Sequence, residues 1–450
     1  MIGKLDGTRR EVTVVGAGIA GMLAAHALDK KGYEVTLLEE SARAGGLIQT
    51  VQTEYGVAER AAHSLLATPG VLEFCRELSV ELAEIRPDSR ARFIVRGGKL
   101  RKFPLGVGEA ITVLGRAAFA RASEGSASLD LDAWGRRHLG GAAVEYLLTP
   151  FVRGVYGVQP AQLGVEAAFP VLSVAPGQTL LGAMLGKAFR GGAKKNGDAA
   201  RSEHTDGDAA NGRANGAKTK KERKRMVAPR YGMGDVTARL ESRLEARLGS
   251  RFRRGVSVNE ILAAPNVVIA TPAGAASKLL AASAPDLAHA LADITYTPIV
   301  SVTAFVPKWS LTRPVKGVGA LVPASEGRKC LGILFASSSF EGRVTDESRY
   351  ASFAVLFGGT SQPEWLTATD EEIGAAVREE LEGLLGVRGA PLRLVISRWP
   401  RAIPQYSVGL PAVWRQARET WCAAPGRVLF GNYTGQVSLR GMIETAAMMG

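Results

Sequence analysis

One stretch constrains this chain before any other: residues 12–46, VTVVGAGIAGMLAAHALDKKGYEVTLLEESARAGG. Residues 12–15 are a short β-branched apolar run, the signature of a strand buried on both faces. The run passes directly into Gly16-Ala17-Gly18-Ile19-Ala20-Gly21, a G-x-G-x-x-G that opens a helix expected over 19–31. A second strand, 33–38, ends on Glu39. Gly16 permits the tight turn, Gly18 lets a pyrophosphate approach the backbone, and Gly21 lets the helix pack closely on the strand. The free amides and positive end of the helix then face the phosphates. Glu39 falls where a carboxylate accepts ribose hydroxyls. A glycine-rich turn alone is weak; strand, helix, strand and acid in register make this a nucleotide site.

The chain has 450 residues, enough for two or three domains, and 46% of them are apolar with 53 glycines, an ordinary α/β balance. Cys75, Cys330 and Cys422 lie far apart with no C-x-x-C, so they read as reduced core thiols of a cytoplasmic protein. The five histidines show no metal-ligand spacing, and no metal is expected. The opening MIGKLDGTRRE lacks the apolar core of a signal peptide. A net charge of +13 invites a nucleic-acid reading, but residues 190–225 alone hold eleven Lys or Arg against five Asp or Glu. No aromatic residue interleaves that run, as a base-stacking surface would need, so no nucleic-acid partner is expected. An anionic substrate or an anionic membrane face accounts for the charge more simply.

Along the chain, residues 50–66 read as a strand leading back to the nucleotide, and Thr68-Pro69 starts a helix. Residues 92–100, RFIVRGGKL, read as a hairpin turning at the glycine pair. Residues 104–152 are helical in character, with Leu105, Ile111, Leu114, Ala118 and Phe119 on an apolar face edged by Arg116 and Arg121. Such a face suits a membrane surface or packing on its own domain equally well. Residues 190–226 have almost nothing to bury and read as a disordered basic insertion. Strands are expected at 256–261 and 266–271. Beyond Pro298, apolar runs at 299–306, 318–323, 331–336, 351–357 and 392–396, with a helix near 370–385, suggest a mainly antiparallel second sheet. Residues 428–433 then form a last strand before a helix from about 437.

Arg43-Ala44-Gly45-Gly46, a cation followed by two bare amides, resembles the FAD-binding opening of the amine oxidase superfamily. More specific pieces resemble one of its families, the FAD-dependent protoporphyrinogen oxidases. They are the Arg92-Phe93 hairpin, AWGRRHLGG (133–141), RGVYG (153–157), GALVPASEGRKCLGILFASSSFEGR (319–343), WPRAIPQYSVG (399–409) and GNY (431–433). The resemblance implies an α/β chain: a discontinuous Rossmann-like FAD-binding domain (1–68, 227–297, 427–450) and a second α+β substrate domain (69–103, 165–189, 298–426). A helical, membrane-contacting part (104–164) completes it. It implies non-covalent FAD and oxidation of protoporphyrinogen IX to protoporphyrin IX in haem biosynthesis, with O2 as acceptor. Contact with an anionic membrane would be peripheral, on the inner face of the cell membrane. Besides Gly16 to Gly21, the cofactor contacts implied are Glu39, Glu40, Arg43, Gly45, Gly46, Val258, Gln436, Val437 and Ser438. Arg92 looks like the propionate partner, Gly154 a backbone carbonyl facing the pyrroles, and Leu321, Leu334 and Leu356 the walls of the ring. The chemistry is carried by the flavin, so no catalytic side chain is named. Among the features that depart from the family pattern are Ala61-Ala62 after Glu59 in place of Gly-Pro, Gln436 in place of glycine with Gly435 one position early, and an abbreviated 258–266 region. Two alternatives stay open: coproporphyrinogen III oxidation by the same fold, and a flavin-binding scaffold without oxidase activity.

Overall fold

In the computed structural model, which describes residues 1–123, 125, 128–185, 225–259 and 264–450, three distant segments of chain build one parallel sheet. Its order is β10 (Phe252–Arg253), β2 (Glu34–Leu38), β1 (Glu11–Val15), β11 (Asn266–Ile269), β17 (Arg427–Leu429). Every neighbouring pair is parallel. Helices cover both faces. Leu23 of α1 (Ile19–Lys30), Val71 of α2 (Pro69–Glu77), Leu240 of α6 (Met233–Leu248) and Met442 of α11 (Leu439–Ala447) share one core with Val12 and Val14. Ala276 of α7 (Ala273–Leu280) and Leu287 of α8 (Pro285–Ala292) share another with Val15, Val267 and Ile269. Burial on both faces is why these strands read as unbroken apolar runs rather than alternating ones.

The strand expected over 256–261 is not found in its described part. Gly255, at φ +69°, turns the chain out of the sheet after the two-residue β10. Residues 256–259 instead run irregularly beside the end of β2, where the Val256 amide donates to the Glu39 carbonyl at 2.9 Å.

The second sheet has seven strands: β16 (Arg393–Pro404), β12 (Tyr296–Pro307), β15 (Tyr350–Gly358), β14 (Gly332–Leu334), β13 (Gly319–Leu321), β7 (Arg92–Arg96) and β8 (Lys99–Arg101). All neighbours are antiparallel except β13 and β7. The hairpin expected at 92–100 is there, turning at Gly97-Gly98. One face packs on α9 (Asp370–Leu385): Ile373, Val377 and Leu381 meet Val302, Ile333 and Val355. On the opposite face Phe305 packs with Ala58 and Val344. Two smaller units close the gap between the sheets: the hairpin β3 (Thr50–Thr53)–β4 (Gly56–Glu59), and a sheet of β5 (Leu65–Ala67), β9 (Arg225–Pro229) and β6 (Leu82–Glu84).

The insertion expected at 190–226 lies outside the described residues except for Arg225 and Met226. These two open β9, because Met226 pairs with Leu66 in a regular antiparallel ladder. The helical stretch contains α3 (Val107–Phe119), α4 (Leu131–His138) and α5 (Thr149–Tyr156). Asp130 caps α4 by accepting from the Ala133 amide at 2.8 Å. No residue of α3 is buried, and Val107, Ile111 and Leu114 form one exposed stripe. Among the described residues no helix is long and apolar enough to cross a membrane.

Candidate active site

At the carboxyl edge of the parallel sheet, Gly16 (φ +96°) carries the chain from β1 into α1. A Cβ on Gly21 would lie 1.7 Å from the Gly16 carbonyl oxygen, so glycine is what lets the helix seat on the strand. Gly18 differs: a Cβ there would meet nothing within 4 Å, so the N-terminus of α1 opens onto free space. Ile19 and Ala20 form its first turn, whose amides a helix leaves without internal partners. The buried hydroxyl of Thr271, beside Gly16 at the end of β11, has no hydrogen-bond partner among the described residues. A bare helix N-terminus, open space over Gly18 and an unused hydroxyl fit a phosphate-bearing cofactor.

The residues around this cradle also brace one another. Glu39 Oε2 accepts from the Ala17 amide at 2.6 Å and Oε1 from the Ser41 amide at 3.0 Å. The expected ribose acceptor thus also closes the glycine turn. Arg43 donates to the carbonyls of Ala44 and Gly46. The Gly45 amide is not bare, since it donates to the Ala17 carbonyl at 2.8 Å. Glu40 is reached by the Ser257 hydroxyl at 3.5 Å, which brings half-buried Val258 alongside the acid-bearing end of β2. Gln436 turns back onto α11: a Cβ on Gly441 would lie 2.1 Å from its Oε1. The absence of a side chain at Gly441 makes room for the amide that replaces the expected glycine. Val437 packs partly on the core, and Ser438 caps α11 by accepting from the Gly441 amide at 3.1 Å.

The proposed substrate residues converge on the inner face of the second sheet. Arg92 pairs with Gly319, Gly319 with Leu334 and Leu334 with Ala354, forming one row across four strands. Ile94, Leu321, Gly332 and Leu356 form the next row. Residues opposite one another or two apart on a strand share a face, so Arg92 and all three leucines point the same way. The leucines are each partly exposed, unlike the buried Val355 and Ile333 of the other face. Gly154 of α5 presses on this wall, because a Cβ there would lie 2.3 Å from Leu321 Cδ2. Arg92 is exposed, and its guanidinium lies 2.8 Å from the Met226 sulfur.

A cavity beside the wall is lined by Leu334, Thr303 and Met226 on one side and by Glu59, His63 and Arg343 on another. Glu59 and Arg343 form an ion pair at 2.8 Å with both side chains 3% exposed. Thr50 Oγ1 (2.6 Å) and the Met233 amide (2.8 Å) also donate to Glu59, and Arg343 donates to the Pro229 carbonyl. Burial pushes the Glu59 carboxyl up, against the pull of Thr50, Arg343 and the Met233 amide. His63 Nε2 and Arg343 Nε are shielded from solvent and have no partner among the described residues. Burial and, after it, the Arg343 charge bring the His63 pKa down to about 4, so its imidazole is neutral at ordinary pH. Sequence reasoning gave none of these three a functional role. Glu59 and Arg343 lie 284 residues apart, and a lone histidine after Ala61-Ala62 carries no spacing signal.

Residues 19–450 match the family described as flavin containing amine oxidoreductase. The chain belongs to that family. This flavin amine oxidoreductase is 27% identical over 486 residues to protoporphyrinogen oxidase 2 of Arabidopsis thaliana, covering 96% of this chain and 91% of the relative. It is equally, 27%, identical over 489 residues to coproporphyrinogen III oxidase of Propionibacterium freudenreichii, covering 95% and 88%. A crystal structure from Exiguobacterium sp. 255-15 shares the fold with a TM-score of 0.72 at 20% identity, over 99% of this chain and 98% of the other. The resemblance to protoporphyrinogen oxidases stated from the motifs is borne out, and FAD is the cofactor of this flavin amine oxidoreductase.

Proposed function

We propose that this chain oxidises a porphyrinogen to the porphyrin, with protoporphyrinogen IX as substrate and O2 as final acceptor. The observation that carries the reading is the gathering of Arg92, Leu321, Leu334 and Leu356 on one sheet face with Gly154 against it. A porphyrinogen is a broad, flexible, apolar ring whose only fixed charges are carboxylates. The leucines give the ring an apolar wall, and Arg92 stands at the edge of that wall. Its present neighbour, the Met226 thioether, is a weak acceptor that a propionate displaces. Gly154, packed on Leu321, offers a backbone carbonyl to the pyrrole nitrogens at that end of the wall. Bound FAD supplies the two-electron acceptor. Gly16 to Gly21 with Arg43, Gly45 and Gly46 would hold its pyrophosphate, Glu39 and Glu40 its ribose, Val258 its adenine, and Gln436 to Ser438 its flavin end. A second reading, coproporphyrinogen III to coproporphyrin III, is favoured by the equal identity to the Propionibacterium relative.

Arg92→Ala tests the site. A hydrogen bond to a charged group contributes about 1.5–3 kcal/mol, so kcat/KM for the porphyrinogen falls roughly 10- to 150-fold. Arg92→Lys recovers part of the loss, because the charge survives but the two-pronged geometry does not. Flavin content stays unchanged. A kcat/KM within about threefold of the parent would remove Arg92 from the site.

The outer side of α3 is assigned to peripheral contact with an anionic membrane. Val107, Ile111 and Leu114 are exposed there, with Phe103 before them, next to exposed Lys99, Arg101 and Lys102. Replacing Ile111 and Leu114 together by Asp is expected to weaken co-sedimentation with anionic vesicles about tenfold or more while flavin content is kept. Equal sedimentation of variant and parent would dismiss the assignment.

A further inference from the structure

His63 is a titratable group in the cavity that the reading above does not use. It lies between β4 and β5, in the chain linking the glycine cradle to the second sheet. Its cavity is floored by Thr303 and Leu334, both on the inner sheet face, and is flanked by Met226, the neighbour of Arg92. Nε2 is sealed from solvent and unpartnered, although the ring as a whole is only partly buried. A buried polar atom without a partner is costly, and one on a residue that lines a cavity is relieved when a ligand donates to it.

We propose that His63 Nε2 is the proton acceptor for a pyrrole N–H of the substrate. This rests on the porphyrinogen reading. Bound FAD would accept the hydride of a meso carbon. As that hydride leaves, the adjoining pyrrole takes on iminium character and its N–H bond breaks in the same step: the electron pair stays on the pyrrole nitrogen, and the proton bonds to Nε2. The resulting imidazolium returns its proton to solvent through the open side of the ring.

The charged groups around His63 suit this task. Arg343 faces it from the loop before β15, and Glu59, on β4, is already engaged by Arg343, Thr50 and the Met233 amide. Glu59 is therefore not the acceptor. Burial and, after it, the Arg343 charge keep the imidazole neutral and ready to accept, and the imidazolium formed there is short-lived for the same reasons. A strong base is not needed, because an iminium N–H is far more acidic than a pyrrole N–H.

The test compares holoprotein carrying His63→Ala and His63→Gln with the parent by anaerobic mixing with protoporphyrinogen IX. The rate of flavin bleaching is followed, and the Kd of porphyrin is measured separately by fluorescence. Both variants are expected to keep their flavin and bind porphyrin within about twofold, yet to bleach about 100-fold more slowly. Added imidazole should speed the alanine variant. Glutamine accepts a hydrogen bond but not a proton, so a glutamine variant within about threefold of the parent would overturn the proposal. A loss of porphyrin affinity that matches the loss of rate would overturn it too, by making His63 a packing residue. A parent that is not bleached at all would overturn the porphyrinogen reading, and the proton acceptor with it.

Discussion

Gly18→Val is expected to give a folded protein without flavin colour. The backbone of Gly18 (φ −63°, ψ 174°) is extended in a way any residue adopts, and a Cβ meets no protein atom within 4 Å. The substitution therefore leaves β1 and α1 intact and places a branched side chain in the space over the helix N-terminus, the proposed pyrophosphate site. Visible absorbance of the purified variant against its far-ultraviolet circular dichroism separates the two effects. Gly21→Ala is the contrast: its Cβ would sit 1.7 Å from the Gly16 carbonyl, so it should disturb the fold itself. A yellow, fully loaded Gly18→Val protein would place the cofactor elsewhere.

Glu59→Ala is expected to destabilise the protein by about 3–5 kcal/mol, because it leaves a buried guanidinium without its counter-charge. Arg343 is only 3% exposed at its side chain, so bulk solvent does not take the place of the carboxylate. The Met233 amide and the Thr50 hydroxyl lose their acceptor at the same time. The pair also joins the β3–β4 hairpin to the loop before β15, where the Val57 amide donates to the Arg343 carbonyl at 3.1 Å. Urea unfolding of variant and parent measures the loss. A change under about 1 kcal/mol would show a pair no stronger than an exposed one.

How much was legible follows from distance along the chain. The β1–α1–β2 unit was readable because its glycines, its apolar runs and Glu39 are near neighbours with a fixed period. The Arg92 hairpin was readable for the same reason, through Gly97-Gly98. Leu321, Leu334 and Leu356 were different. Each is an apolar residue in a strand, and only the pairing of β13, β14 and β15 brings them to one face away from the α9 core. Resemblance named them; spacing could not. The strand reading fails over 256–259, where Gly255 has already turned the chain off the sheet before pairing can extend. Gln436 looked like an obstacle at the flavin end, and its fold-back onto Gly441 could not be foreseen without the helix geometry. The Glu59–Arg343 pair joins residues 284 apart, and no local pattern announces such a contact.

Anaerobic mixing of the yellow protein with excess protoporphyrinogen IX, and separately with coproporphyrinogen III, tests the central claim most directly. Porphyrinogen oxidation predicts that the flavin bleaches, that the yellow returns when air is admitted, and that porphyrin fluorescence grows with each cycle. The faster of the two substrates identifies the physiological ring. A flavin that stays oxidised with both porphyrinogens would contradict the claim.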